Sequence, residues 1–235
     1  MKPSPVKAMI LAAGRGKRLR PLTDTLPKPL IPVCGKPLIE YHIEKLAAIG
    51  ITDIVINHAW LGHVLEEQLG TGERWGVNIH YSPEPEGGLE TAGGIIQALP
   101  LLGNSPFLVM NGDVYCGFPF ETLLNQAQKM GDSSTCLAHL VLVPSPAHNP
   151  TGDFGLTEDK CVIETGHYTF SGLSVLSPAL FKDRPVEFLK LAPILREAMQ
   201  QKQVSGALYT GYWSDVGTFE RLEETQRSII KGVEI

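Results

Sequence analysis

Leu11-Ala-Ala-Gly-Arg-Gly-Lys-Arg-Leu-Arg-Pro-Leu-Thr-Asp-Thr-Leu-Pro-Lys-Pro29 grows out of a short apolar run, Lys7–Ala12, that is closed by glycine. Such a run reads as a buried β-strand, and its carboxyl end opens into Gly14 and Gly16. Glycines leave room for backbone N–H groups to close around phosphate oxygens, and Arg18 and Lys28 add mobile positive charge. Two common glycine loops do not fit. A Rossmann fingerprint begun at Gly14 needs glycine where Leu19 stands. A P-loop ending at Gly16-Lys17 needs glycine at Leu11 and a hydroxyl residue at Arg18.

Outward from this stretch, strand and helix patterns alternate. Pro37–Ile49 predicts a helix with Ile39, Ile43 and Leu46 on one face and Gly50 as its stop. Asp53–Asn57 reads as strand, Leu61–Leu69 as helix, Val77–Tyr81 as strand, Thr91–Leu99 as helix and Pro106–Met110 as a further buried strand. That alternation implies a parallel, doubly wound sheet, because parallel neighbours need a crossover and the crossover is usually a helix. Beyond a helix at Phe120–Met130 the pattern changes. Thr135–Val143, Gly155–Leu156, Cys161–Ile163 and Tyr168–Leu176 read as strands without helices between them, so this part is expected to be partly antiparallel. Pro144–Pro150 reads as a loop at the sheet edge, and Val186–Gln201 and Thr218–Lys231 as closing helices. The expected fold is α/β: one Rossmann-like, doubly wound domain over residues 1–235 with a mostly parallel, mixed sheet.

Composition narrows the function. The 235 residues carry 20 Lys and Arg against 25 Asp and Glu, a net charge of −5, which gives no broad positive field for nucleic acid. Positive charge for phosphate must therefore be local. Cys34, Cys116, Cys136 and Cys161 form no C-x-x-C pair, which suggests neither a zinc site nor a disulfide framework and fits a reducing cytoplasm. The run Ala8–Ala13 is too short for a signal segment, and no stretch approaches the roughly 18 apolar residues of a membrane span. A cytoplasmic protein, monomeric or a small homo-oligomer, is expected, without membrane or nucleic-acid partners.

Residues Leu11–Thr23 with Pro27-Lys28 resemble the signature of the sugar-1-phosphate nucleotidyltransferases, L-A-A-G-x-G-x-R-L-x-P-L-T followed by P-K. The likeness continues through Asn111-Gly-Asp113 to Trp213-Ser-Asp-Val-Gly-Thr218. It implies the nucleotide-diphospho-sugar transferase (GT-A-like) fold, with residues 1–130 as a nucleotide-binding half and 131–235 as a sugar-binding half. It also implies a reaction in which a sugar 1-phosphate attacks the α-phosphorus of a nucleoside triphosphate and pyrophosphate leaves. Both reactants are polyanions, so positioning and charge neutralisation must carry the catalysis.

The resemblance assigns roles by position. Lys28 would hold the sugar phosphate against the α-phosphate, and Arg18 would grip the β- and γ-phosphates. The backbone of Leu11, Ala12, Ala13, Gly14 and Gly16 would hold the rest of the nucleotide. Asp113 and Asp215 would bind Mg²⁺, an ion that takes one or two carboxylates together with phosphate oxygens and waters. Arg18, Lys28, Asp113 and Asp215 are thus the expected catalytic set. Asn111, Gly155, Glu164 and Ser171 match sugar-contacting positions, while Glu164 also reads as an exposed strand residue and Ser171 as part of a bend. Trp60, Trp75 and Trp213 read as core or pocket wall, and His58 as a packing histidine.

Base selection is expected in Ser82–Gly94, with Glu90, Thr91 and Gly93 at the nucleotide. Guanine-using relatives carry L-G-T-A-G where this chain has Leu89-Glu-Thr-Ala-Gly93. With Ile56–Gly62 and His148–Phe154, that departure resembles the uridylyltransferases of cell-wall sugar recycling and implies UTP and a muramic acid 1-phosphate as substrates. A mannose-1-phosphate guanylyltransferase or a glucose-1-phosphate thymidylyl- or uridylyltransferase is the alternative. A non-catalytic sugar-nucleotide sensor is a second one, although it would be expected to lose Lys28, Asp113 or Asp215. The chain shows no hexapeptide-repeat extension, so acetyl transfer is not expected.

Overall fold

The computed structural model describes residues 6–131 and 135–232. Strand β1 (Ala8–Leu11) is followed by the glycine loop and by a small hairpin, β2 (Pro32–Val33) and β3 (Lys36–Pro37). The chain then alternates α1 (Leu38–Ala48), β4 (Asp53–His58), α2 (Gly62–Leu69), β5 (Asn78–Pro83), α3 (Glu90–Leu102) and β6 (Phe107–Asn111). After β7 (Val114–Cys116) and α4 (Phe120–Gly131) come β8 (Ala138–Pro144), β9 (Phe154–Leu156) and β10 (Val162–Leu176). α5 (Leu191–Gln200), β11 (Val204–Leu208), β12 (Trp213–Asp215) and α6 (Phe219–Ile230) close the described chain.

The main sheet runs β11-β8-β10-β6-β1-β4-β5, with β9 paired to β10. β1 is parallel to both β4 and β6, and β4 to β5, whereas β10 lies antiparallel to β6, β8 and β9. The expected mixed, mostly parallel architecture is therefore present. From β1 the chain builds outward through β4 and β5 and then returns to β6 on the other side. That reversal creates a crevice at the carboxyl ends of the strands, where open α/β sheets bind ligands. Leu11 of β1 stands opposite Asn57 of β4 and Asn111 of β6, so three strand ends meet at one level.

Strand alternation divides the core. Ala8, Ile10, Ile54, Ile56, Leu108 and Met110 face Ile39, Ile43 and Leu46 of α1 and Leu123 of α4. Met9, Val55, Phe107 and Val109 face Ile95 and Ala98 of α3 and Ile194 and Leu195 of α5. A fully buried side chain of this size stabilises by roughly 1.5–3 kcal/mol, which is why both faces must be covered.

Several expected boundaries shift for identifiable reasons. Cys161–Ile163 and Tyr168–Leu176 join in one strand, β10, with register shifts between Ile163 and Tyr168 and between Phe170 and Ser174. Gly166 allows close approach between β10 and β9: a Cβ there would lie 2.3 Å from Gly155 Cα. The helix expected from Val186 begins only at Leu191, because the preceding backbone is already paired. Leu189 N–H donates to the Leu89 carbonyl, and the Leu189 carbonyl accepts from Ala92 and Gly93. α3 runs past Leu99 to Leu102, carrying Pro100 in its last turn. β7, β11 and β12 were not anticipated from the pattern.

Beneath the turn that carries Asp113 lies His42 of α1, buried and stacked on Phe120 at 6.1 Å. Burial, reinforced by the Lys45 charge, lowers its pKa from 6.5 to about 4 against the opposing pull of its hydrogen bonds to the Val114 and Asn111 backbone and of the Asp113 charge. Burial also lowers His139 to about 4, with Lys129 adding to the effect. Both groups take up a proton more readily when unfolded. Their contribution to stability is complete above the unfolded value of about 6.5 and is lost as pH falls toward about 4. The urea midpoint should fall across that window, and His42→Leu should reduce proton uptake on unfolding by about one. An unchanged pH slope in the variant would show that His42 is not held neutral.

Candidate active site

At the switch point lies a cavity of about 830 Å³. Its floor is the Leu11–Gly14 backbone with Lys28, and its sides are Asn57 and Glu84 on one hand and Asn111 and Asp113 on the other. Gly14 faces open space, whereas Gly16 adopts φ +66° and packs on Thr23 and the Lys28 stem. The two glycines therefore do different work. Gly14 opens the loop to a ligand, and Gly16 makes the turn that brings Lys28 beneath it. Gly16, expected at the nucleotide, is not among the residues that line the cavity.

The buried Thr23 carbonyl pins the loop by accepting from Arg15 Nη1 at 2.6 Å and from Trp60 Nε1 at 3.0 Å. The Arg15 guanidinium lies 3.8 Å over the Trp60 ring, and both groups form cavity wall. Trp60 is thus pocket wall, as expected. His58 is a packing residue, bonded through Nε2 to Glu66 at 2.7 Å. Lys17 lines the cavity, while Arg18 faces a neighbouring cleft beside Asp215.

Lys28 is nine-tenths buried and its ammonium is ion-paired with Asp113 Oδ2. Asp113 follows β6, and β7 pairs with β12 so that Asp215 stands opposite Val114. Val216 N–H also donates to the Asp113 carbonyl at 2.8 Å. Two carboxylates about a hundred positions apart are thereby brought onto adjoining backbone. Among the described residues no group of three or more His, Cys, Asp or Glu is placed to cage a metal. Asp113 lines the main cavity and Asp215 the neighbouring cleft, and two such carboxylates are a donor set suited to Mg²⁺, which takes one or two carboxylates with other oxygens and waters.

The base loop is organised by a network that the sequence reading missed. Ala12 N–H donates to Asn57 Oδ1 at 2.9 Å, Asn57 Nδ2 donates to Glu84 Oε1 at 2.5 Å, and Leu89 N–H donates to Glu84 Oε2 at 2.7 Å. Asn57 and Glu84 are both buried. Gly94 provides the space, since a Cβ there would lie 2.2 Å from Glu84 Oε1. Glu90 and Thr91 line the cavity as expected, Glu90 in the left-handed region at φ +60°. Gly93 does not. Its N–H is spent on the Leu189 carbonyl at 3.2 Å, and a Cβ would meet the Glu187 carbonyl at 2.0 Å, so Gly93 seats a neighbouring strap. That strap brings Phe188, 63% exposed, to the cavity rim.

Of the expected sugar residues only Asn111 lines the cavity. Gly155 is closed off by the Thr165 carbonyl, 2.4 Å from where a Cβ would stand, and Glu164 bonds Gln200 Nε2 at 3.0 Å. Ser171 is buried and its hydroxyl accepts from Leu173 N–H, although its carbonyl accepts from Trp213 Nε1 at 2.9 Å next to the site. Strand alternation explains the scatter, because neighbouring β10 residues face opposite sides of the sheet.

Residues 7–160 match the nucleotidyl transferase family, and the chain belongs to it: it is a nucleotidyltransferase. It is 54% identical over 226 residues to the N-acetylmuramate α-1-phosphate uridylyltransferase of Neisseria meningitidis serogroup B, covering 94% of this chain and 97% of that one. It is 36% identical to a mannose-1-phosphate guanyltransferase of Hypocrea jecorina, of whose length it spans 61%. Among solved structures, a putative glucose-1-phosphate thymidylyltransferase from Bacillus anthracis superposes with a TM-score of 0.82 at 23% identity, covering 94% of each chain. A UDP-glucose pyrophosphorylase superposes with 0.76 at 20% identity, covering 97% of this chain and 99% of that one. At those identities the likeness shows the fold, that of the nucleotide-diphospho-sugar transferases.

Removing the network centre tests its role. Asn57→Ala leaves a buried carboxylate short of a donor and the Ala12 amide without its acceptor, a loss of about 1–3 kcal/mol in unfolding free energy. It should also raise KM for the nucleoside triphosphate about tenfold by loosening both loops. Urea unfolding and steady-state kinetics check it; wild-type values for both would remove Asn57 from the site.

Proposed function

We propose that this chain condenses UTP with N-acetylmuramic acid 1-phosphate, giving UDP-N-acetylmuramic acid and pyrophosphate, as a cytoplasmic enzyme of cell-wall sugar recycling. The observation that carries this reading is the 54% identity to the Neisseria uridylyltransferase across nearly the whole of both chains. Among the described residues no helix is long and apolar enough to cross a membrane, in keeping with soluble substrates. The guanine alternative rests on more distant relatives, of which this chain spans about three-fifths.

The geometry accommodates the chemistry. The sugar phosphate oxygen attacks the α-phosphorus and the bond to pyrophosphate breaks in line. Lys28 sits under the phosphate loop with its ammonium withdrawn from water, so it draws two phosphates together more strongly than an exposed lysine would. Open backbone at Ala13 and Gly14 meets the nucleotide phosphates, and Arg18, beside Asp215, meets the departing pyrophosphate. Asn111 offers an amide to sugar hydroxyls. Asp113 and Asp215 would hold Mg²⁺, which supplies charge neutralisation between the phosphates when bound. The Glu84–Glu90 loop, stiffened by Asn57, presents backbone groups to the base.

Asp113→Asn and Asp215→Asn should each remain folded and lose at least about a hundredfold in turnover, because the reacting phosphates lose their neutralising ion. A pyrophosphate-release assay with Mg²⁺ measures this, and near-wild-type turnover in a folded variant refutes that carboxylate's assignment.

Base choice gives an independent check. A side chain at Glu90 narrows the space that guanine needs, so UTP should be preferred and GTP nearly inert. dTTP, one methyl larger than UTP, should be poorer by roughly 1–3 kcal/mol. Glu90→Gly should raise the GTP to UTP ratio of kcat/KM, and by relieving a left-handed side chain it should stabilise the fold by about 1 kcal/mol. A wild-type preference for GTP would overturn the base assignment.

A further inference from the structure

A second cleft, about 500 Å³, opens on the other side of Asp215. Val216, next to Asp215, donates its N–H to the carbonyl of Asp113, which lines the main cavity. Arg18, His148 and Arg221 line it, with Glu220 and Glu224 at the same opening. Asp215 Oδ1 is ion-paired with Arg221 Nη1 and stands 3.3 Å from His148 Nε2, while Arg221 Nη1 and His148 Nε2 lie 3.0 Å apart. Gly217 permits this crowding of cations, since a Cβ there would lie 2.5 Å from Arg221 Nη2 and 2.7 Å from Arg18 Nη2.

His148 is presented by a loop tied down on both sides. Ser145 Oγ donates to the His167 carbonyl at 2.8 Å, and Asn149 Nδ2 donates to Asp153 Oδ1 at 3.1 Å and to Thr169 Oγ1 at 3.0 Å. Asp153 Oδ2 accepts from Phe170 N–H at 2.9 Å. Phosphoryl transfer gives neither His148 nor Arg221 anything to do. Lys28, Arg18 and the glycine loop already meet the phosphates. Yet these two side chains converge on one carboxylate oxygen, a geometry suited to recognising a carboxylate.

We propose that Arg221 and His148 form the receptor for the lactyl carboxylate of N-acetylmuramic acid 1-phosphate, with Asp215 occupying that receptor when substrate is absent. The inference rests on the proposed function and names the part of the substrate read by this cleft. Muramic acid differs from glucosamine by a lactyl ether whose carboxylate is ionised at neutral pH. When Asp215 turns to its role at the phosphates, the guanidinium and imidazole are released into the cleft without their anion. The lactyl carboxylate supplies the replacement, and a hexose 1-phosphate without that group cannot.

The test compares N-acetylmuramic acid 1-phosphate with N-acetylglucosamine 1-phosphate, at saturating UTP and Mg²⁺, in wild type, His148→Gln, Arg221→Gln and Arg221→Lys. Calorimetric titration of each sugar phosphate onto the full chain gives a readout separate from turnover. Wild type should favour the muramate substrate, and each Gln variant should lower the muramate to glucosamine ratio of kcat/KM and of affinity at least about tenfold. Arg221→Lys should recover part of the ratio by keeping the charge. Equal losses on both sugars would make the pair mere supports of Asp215 and overturn the proposal. A raised KM for UTP with an unchanged ratio would assign the pair to pyrophosphate and overturn it as well. UDP-N-acetylmuramic acid formation with an unaltered ratio would leave the proposed function standing, whereas a wild type that makes none would defeat both.

Discussion

Asn57 is where three parts of the molecule are held together. Its side chain accepts from the first amide of the phosphate loop and donates to a buried carboxylate that in turn holds the base loop. Its position is dictated by the sheet: it stands one residue before the end of β4, level with Leu11 at the end of β1. An amide suits this place because it donates and accepts at once, which neither a carboxylate nor an aliphatic side chain can do. Gly94 completes the arrangement, since only a residue without Cβ leaves room for Glu84. The distance between the two nucleotide-facing loops is thus set by buried hydrogen bonds anchored on a rigid strand, and leaving any of those groups unpaired is costly.

The charges around the cavity follow a second constraint. A chain of net charge −5 must receive polyanions. Lys28 is therefore stored against Asp113, Arg221 against Asp215 and Arg15 against Asp24. Lys28 is the most withdrawn from solvent of these three cations, and an unpaired ammonium there would be strongly disfavoured. Each pair keeps its cation in place and folded against the site.

What could be read from the sequence follows from how local each feature is. The β1–glycine loop and the strand–helix alternation are written in consecutive residues, and Lys28, Asp113 and Asp215 sit in motifs that name themselves. The Asn57–Glu84 contact spans 27 positions and has no spacing rule; only the end of a parallel strand at Asn57 hinted at it. The Val186–Lys190 strap has helical periodicity, yet its Leu189 backbone is claimed by Leu89, Ala92 and Gly93, a tertiary pairing that overrides local preference. The packing at Gly93 is equally non-local, because the carbonyl that fills the space above it comes from a residue almost a hundred positions away. Gly155 of β9 and Glu164 of β10 lie outside the cavity, and where a residue on this strand pair faces depends on a register shift that pattern alone does not fix.

The division between strand ends and loops also accounts for what this fold shares and what it varies. Asp113 and Asp215 are set by the end of β6 and the β7–β12 pairing, and Lys28 by the turn that Gly16 makes after β1. The groups that could discriminate among substrates lie elsewhere: Glu84–Thr91 before α3, the Ser145–Asp153 loop between β8 and β9, and the Glu187–Leu189 strap before α5. Each of these segments is tied to the scaffold by a few named hydrogen bonds. A change of base or sugar can then be made by replacing side chains on a tethered loop while the phosphate chemistry beneath it stays still. Catalysis tolerates such replacement because its own geometry is set by the sheet, and misplacement of the reacting groups by about 1 Å is what it cannot tolerate.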